Sequence, residues 1–290
     1  MLTRRSFLTT AACATGTGLF SFAPGQASAA DTSPKLTTYI ADKAVDRETV
    51  LQWEARRLQV AANRLSGNLP AALVGELDCL ISRPALSTTN IVRERDLLAD
   101  AKMLMGETEL RDLMAADIAI SDPVSEAAAA TGEWAVSSAG LSCTVGAADG
   151  FVEWFNTRRD QNDQRAMLIA GPDHYVIHTP RSGIQEVIEV TGGAVLATRL
   201  IIDYADNAAV PINRDPAFPH ETSGWARTAG GIRIGAVRHQ FRDDPGGGFS
   251  AKLAVAFPAP LPPWMFSEHS WHLACEFSNW VSTYVASTKP

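Results

Sequence analysis

Three groupings of residues in this chain could do chemistry. The first is Glu268-His269-Ser270-Trp271-His272, with Glu276 one turn further on. At about 100° per residue, Glu276 lies about 20° and His272 about 60° to one side of His269. The three therefore share one flank of a helix and could converge at the edge of an apolar cavity. A His/His/Glu set suits general acid–base catalysis or the binding of zinc or iron. The plainer reading is the polar boundary of an amphipathic helix. His269, His272 and Glu276 are the candidate catalytic residues.

The second grouping is His174 and His178. Four residues apart on a strand, they are expected to face the same way, with Val176 between them. That spacing is long for two ligands of one metal, so surface or satisfied core positions are expected. The third is Arg238-His239, whose side chains leave a strand on opposite faces. His239 shares its face with Val237 and Phe241 and is the one expected to be buried, where its pKa could be tuned through neutrality. Asp203 and Tyr204 end another apolar strand; a buried acid there would have to find a donor. No metal ligand set is assigned, and the sequence names no cofactor.

Several common signatures are missing. There is no G-x-S-x-G, no P-loop, no H-E-x-x-H and no dinucleotide-binding G-x-G-x-x-G after a strand. These absences exclude those motifs and leave other enzymes open.

The elements that would position the candidates follow from periodicity. A helical pattern runs from Lys35 to Thr131. Asp46 can cap a first helix carrying Leu51, Leu58, Ala62 and Leu65. Pro70 suits the first turn of a second, with Leu73, Leu77, Leu80 and Ile81. Asn90 can cap a third that stops at Gly106, and a fourth starts at Thr108; Ser121-Asp122-Pro123 reads as a turn. Beyond residue 132, alternation and glycine-rich turns take over. Strands are expected at Trp134–Val145, Met167–Ala170, Tyr175–Thr179, Ile184–Thr191, Val195–Ala205, Ile232–Phe241 and Ala251–Phe257. A helix is expected at Asp149–Asp160, and 206–224 reads as a long loop. The last element is a helix from about Trp264 to Ala286, with Phe266, Leu273, Phe277, Trp280 and Tyr284 on one stripe.

The predicted class is therefore α+β: an N-terminal helical region over 30–131, then an antiparallel α+β domain over 132–290 closed by a long C-terminal helix. The order strand, helix, antiparallel strands, long helix over roughly 134–287 resembles the helix-grip fold of the START and polyketide-cyclase type. That resemblance implies a curved sheet around the last helix and an apolar cavity between them. His239, Tyr204, Phe277 and Trp280 are the candidate ligand-binding residues.

Residues 1–29 read as a removable signal peptide: Arg4 and Arg5, an apolar stretch from Phe7 to Phe22, and Ala27-Ser28-Ala29 as a cleavage pattern. Thr3-Arg4-Arg5-Ser6-Phe7-Leu8 resembles the bacterial twin-arginine (Tat) translocation signal. The resemblance implies folding before export, the Tat machinery as a partner, and a periplasmic or extracellular address. Cys13 falls inside the leader and is read as discarded. Cys79, Cys143 and Cys275 remain, so at most one disulfide can form, with the pairing open. Hydrophobic residues at 46% and charged residues at 20% exclude a disordered chain. A net charge of -7 argues against a nucleic-acid partner, and stable membrane insertion of the mature chain is not expected. The expected function is binding of a small apolar ligand between sheet and C-terminal helix. The alternative is a hydrolase or lyase using His269, His272 and Glu276, with or without a metal.

Overall fold

A hairpin opens the described chain. Ala41 and Asp42, with φ of 50° and 60°, make a two-residue turn between β1 (Leu36–Ile40) and β2 (Lys43–Val45). Positive φ at both central residues matches the right-handed twist of the paired strands. Ala-Asp carries none of the usual glycine signal, so the sequence pattern placed these residues in the helical region instead. The structure is a computed structural model and describes residues 35–69, 71–180 and 182–288. The signal peptide expected over 1–29, with its Arg pair and Cys13, lies outside the described residues.

Helix α1 (Arg47–Leu65) starts where Asp46 accepts a hydrogen bond from the Thr49 backbone N–H at 2.7 Å. It is followed by α2 (Ala71–Ser82) and α3 (Ile91–Ala129). Gly106, at φ 81° and ψ 161°, interrupts α3 at the position where the sequence placed a helix stop. The turn expected at 121–123 is overturned, because α3 continues through Pro123 to Ala129. Tertiary contacts hold it there: Ser121 donates to the Ala197 carbonyl at 2.8 Å, and Glu126 accepts from Thr228 at 2.6 Å.

The remaining elements are β3 (Trp134–Cys143), α4 (Ala148–Asp160), α5 (Gln164–Leu168), β4 (His174–His178), β5 (Gln185–Glu189), β6 (Thr198–Asp203), β7 (His220–Arg227), β8 (Arg233–Asp243), β9 (Phe249–Pro258) and α6 (Pro263–Ser287). Two expectations change. The strand expected at Met167–Ala170 is instead the end of the short helix α5, capped by Asp163, and the turn that follows it. β7 emerges from the stretch read as loop. Its polar residues and Gly224 hide a strand, and a Cβ at Gly224 would stand 2.5 Å from the Asp203 carbonyl oxygen.

The nine strands of the described residues form one antiparallel open sheet in the order β2-β1-β3-β9-β8-β7-β6-β5-β4. The protein is thus α+β, with a C-terminal helix laid against the sheet. The apolar stripe of α6 (Leu273, Phe277, Trp280, Val281 and Tyr284) packs on Leu141, Phe241, Phe249, Leu253, Val255 and Phe257. Helices α1–α3 form a second core with Tyr175, Val176, Ile188 and Val190 from the far end of the sheet. β5 is consequently covered on both faces, and all five of its residues are buried. Cys143 and Cys275 are buried thiols. Among the described residues, no helix is long and apolar enough to cross a membrane.

Candidate functional site

The site is assembled from alternate positions of five strands and one flank of a helix. On β5, Gln185, Val187 and Glu189 point inward toward α6; on β6, Leu200 and Ile202 do so, followed by Tyr204 just past its end; on β8, Val237 and His239. From α6 come His269, His272, Glu276, Phe277 and Trp280. Together these residues line a cavity of about 70 Å³ between sheet and helix. The seven candidates chosen from sequence, namely His269, His272, Glu276, His239, Tyr204, Phe277 and Trp280, all stand on its wall. A larger apolar recess of about 240 Å³ shares Leu200 and Phe257 with it and reaches the exposed Val195 and Trp264. A groove of about 740 Å³ lies elsewhere, along Tyr39, Ser138, Arg238 and Lys252. Arg238 leaves β8 there, opposite His239. No histidine lines that groove, whereas His174, His239, His269 and His272 line the smaller cavity.

Two residues that the sequence reading did not choose complete the site. His174 and Glu189 are direct cross-strand partners on β4 and β5. His174 and His178 do not share a face as expected. A register shift between His174 and Val176 lets Tyr175 and Val176 both join the helical core. His174 and Ile177 then face the cavity, while His178 turns outward to Glu107 on α3, Nδ1 to Oε1 at 2.9 Å. Glu189 was concealed inside the run Gln-Glu-Val-Ile-Glu-Val. Its signal was the alternation 185, 187, 189, which puts a second polar side chain on an inward face.

Four side chains converge. The Nε2 atoms of His174 and His272 are 3.0 Å apart. Glu189 Oε2 lies 3.5 Å from the first and 3.7 Å from the second. Glu276 Oε2 lies 3.2 Å from the first and 3.5 Å from the second. All four are buried. His174, Glu189 and His272 each offer one ligand atom within 4.8 Å of the other two and could hold a metal ion.

The segment bearing His174 is clamped from the helical side. Arg57 of α1 grips Asp173 through Nε and Nη2, at 2.8 and 2.6 Å. Lys102 of α3, itself buried, donates to the carbonyls of Pro172 and His174. Beneath the ring, a Cβ at Gly171 would stand 2.8 Å from His174 Cε1, so glycine is required for the imidazole to sit there. On the carboxylate side, Thr191 donates to Glu189 Oε1 at 3.0 Å and leaves Oε2 aimed at the histidines.

The electrostatics separate the histidines into two kinds. Burial alone would lower the pKa of His272, but the Glu189 and Glu276 carboxylates reverse this and bring it up to about 9. Burial would raise Glu276; the adjacent His272 and His174 instead hold it well below the usual carboxylate range. The pair is thus an imidazolium–carboxylate pair when nothing else occupies the site. His239 is pushed down to about 4 by burial, and His269 well below its ordinary value by burial and then by the charge of His272. Both are neutral. His239 Nδ1 accepts the Ala254 N–H at 3.3 Å. Neither nitrogen of His269 has a hydrogen-bond partner among the described residues, although the ring is 3% exposed. It stacks on His272 at 4.9 Å between centroids, with Phe257 edge-on at 4.8 Å. Tyr204 donates to Gln185 Oε1 at 2.8 Å, and burial pushes its phenol up to about 12.

No family model matches this chain, and no curated protein sequence matches it. The functional reading therefore rests on the geometry of the site.

Proposed function

We propose that this is an exported protein whose cavity between the sheet and α6 binds a small ligand with an apolar body and a hydrogen-bonding end. The observation that carries this reading is His269. A buried polar group without a partner costs about 1–3 kcal/mol, so a core position would ordinarily hold an apolar side chain. An imidazole that faces the cavity with both nitrogens unpartnered is accounted for when a ligand supplies the partner. Phe277, Trp280, Leu200 and Phe257 provide the apolar wall, and Tyr204 and His239 add polar groups. The order of the strands from β3 to β9 and the terminal helix support a helix-grip arrangement, in which such a cavity is expected.

The hydrolase or lyase alternative is favoured by one observation. A buried imidazolium–carboxylate pair, His272 with Glu276, stands at the cavity wall and could move a proton to or from a bound molecule.

The test uses phenol as a probe, because it joins an apolar ring to one hydroxyl group; it is too large for a cavity of about 70 Å³ alone and would reach toward the recess that shares Leu200 and Phe257. Phenol is expected to raise the unfolding temperature of the wild-type protein and to have no such effect on His269→Leu or on a variant with the cavity filled, Val255→Trp. Native mass spectrometry of the protein as isolated is expected to show a released small molecule at one per chain. Absence of both the phenol shift and any released molecule would reject the reading.

A further inference from the structure

The convergence of His174, His272, Glu189 and Glu276 is not explained by hydrogen bonding among themselves. Each Nε2 carries at most one proton, whether its ring is neutral or an imidazolium. Here a single atom on each ring, Nε2, faces the other ring nitrogen and both carboxylates at 3.0–3.7 Å. One N–H points in one direction and satisfies one acceptor. Three acceptors around each nitrogen leave the remainder facing lone pair to lone pair, in a buried place with two carboxylates. A cation at the centre satisfies them together.

The spacing agrees. A transition metal bonded at about 2.0–2.2 Å to imidazole and carboxylate holds neighbouring ligand atoms roughly 3–3.6 Å apart for bond angles of about 90–110°. We propose that His174, Glu189 and His272 bind one divalent first-row transition ion, zinc or iron(II), and that Glu276 stands beside it at the side open to the cavity. Imidazole and carboxylate without thiolate suit these ions, whereas calcium and magnesium prefer oxygen alone. The outer contacts have the character of ligand support. Thr191 orients Glu189 through the oxygen that does not face the histidines, and Arg57 and Lys102 fix Asp173 and the Pro172 and His174 carbonyls, while His174 Nδ1 has no hydrogen-bond partner among the described residues. Donors come from three elements, β4, β5 and α6.

This rests on the cavity being a ligand site, since it places the ion at the cavity wall, where the polar end of the ligand would meet it. An ion on His272 Nε2 would take the place of the proton there, so the alternative given above becomes a metal-assisted reaction in which Glu276, not His272, handles the proton. A Lewis-acidic ion next to the Glu276 carboxylate suits polarisation of a carbonyl or hydroxyl oxygen with proton transfer to Glu276, which is the chemistry of metal-assisted hydrolysis or elimination.

The experiment is metal binding by the untagged full-length protein, stripped with a chelator and titrated with Zn²⁺, with Co²⁺ as a visible-absorption probe. The expected result is one ion per chain. Binding should be lost in His174→Gln, His272→Gln and Glu189→Gln, weakened ~10-fold in Thr191→Val, and retained at the same stoichiometry in Glu276→Gln. Circular dichroism checks that each variant is folded, and Thr191→Val tests the site should the ligand variants fail to fold. No binding by the wild type, or equal binding by the folded ligand variants, overturns the metal site. Loss of the ion in Glu276→Gln overturns the three-ligand assignment. The phenol shift and the released molecule are measured on the same samples: either one without metal leaves the cavity reading standing and rejects this one, and metal with neither leaves the ion site standing and rejects the cavity reading.

Discussion

His174 and Glu189 face each other across β4 and β5, and their Nε2 and Oε2 atoms lie 3.5 Å apart inside the protein. Neither residue lies on α6, where the other two members of the cluster stand four residues apart. The site is therefore a seam between the end of the sheet and the terminal helix. Its integrity depends on both.

Replacing His269 by leucine separates function from stability. Leucine fills much of the same space and removes two unpartnered nitrogens. The variant should be as stable as wild type or more stable by up to about 1–3 kcal/mol, measured by urea unfolding, while its response to phenol disappears. A large loss of stability would show that the imidazole is a structural partner instead.

The aromatic stripe should behave in the opposite way. Phe277 and Trp280 are 1% and 4% exposed and pack against Phe155 and each other, with centroids 5.0–6.0 Å apart. Phe277→Ala and Trp280→Ala should each cost about 3–5 kcal/mol through lost burial and the space left behind. Denaturant unfolding reads this directly. A cost under 1 kcal/mol would mean that α6 is not seated as described.

The turn after Glu189 offers a paired test. Gly192 has φ of 57°, and a Cβ there would stand 2.3 Å from the Met265 carbonyl oxygen; at Gly193, φ is 64° and the nearest atom is 3.5 Å away. Gly193→Ala should cost about 1 kcal/mol from backbone conformation alone. Gly192→Ala should cost clearly more, because the start of α6 must also move. Equal unfolding midpoints for the two variants would contradict the close approach of this turn to α6.

Glu107 predicts a pH dependence. Burial would raise its pKa, but hydrogen bonds from Arg111, Gln164 and His178 outweigh this and lower it. A carboxylate with a depressed folded-state pKa contributes stability above its unfolded value of about 4.3, and that contribution is lost as pH falls through the folded value. Glu107→Gln should therefore be less stable than wild type at pH 7, by on the order of 1 kcal/mol for a partly exposed group. The difference should shrink toward pH 3. A constant difference across that range would assign the effect to packing.

Export is tested outside the folded unit. Arg4→Lys with Arg5→Lys keeps the charge and removes the guanidinium pair. Precursor should accumulate in the cytosol by immunoblot of cell fractions. Normal export of the double variant would point to the general secretory route.

Local pattern was enough for the parts of this protein that repeat with a fixed period. The cap at Asp46, the interruption at Gly106 and the aromatic face of α6 are each written within a few residues, because helix period and end chemistry are local properties. Alternation along β8 likewise put His239 inward and Arg238 outward. The candidate site was legible to that extent: its helix residues and Tyr204 could be named from sequence. His174 is singled out but paired with His178 on one face, and Glu189 is passed over, because their roles depend on which strands pair and in what register. A one-residue shift between His174 and Val176 reverses the face presented by the rest of β4, and no feature of the five-residue sequence announces it. Pro123 shows the same limit: contacts from Ala197 and Thr228 carry a helix through a residue that by itself signals its end. Sequence determined which side chains each element would present and to which face. The fold decided which of those faces meet, since strand pairing and helix seating are fixed by burial between segments far apart in sequence, such as those of His174 and His272 or of Trp53 and Cys275.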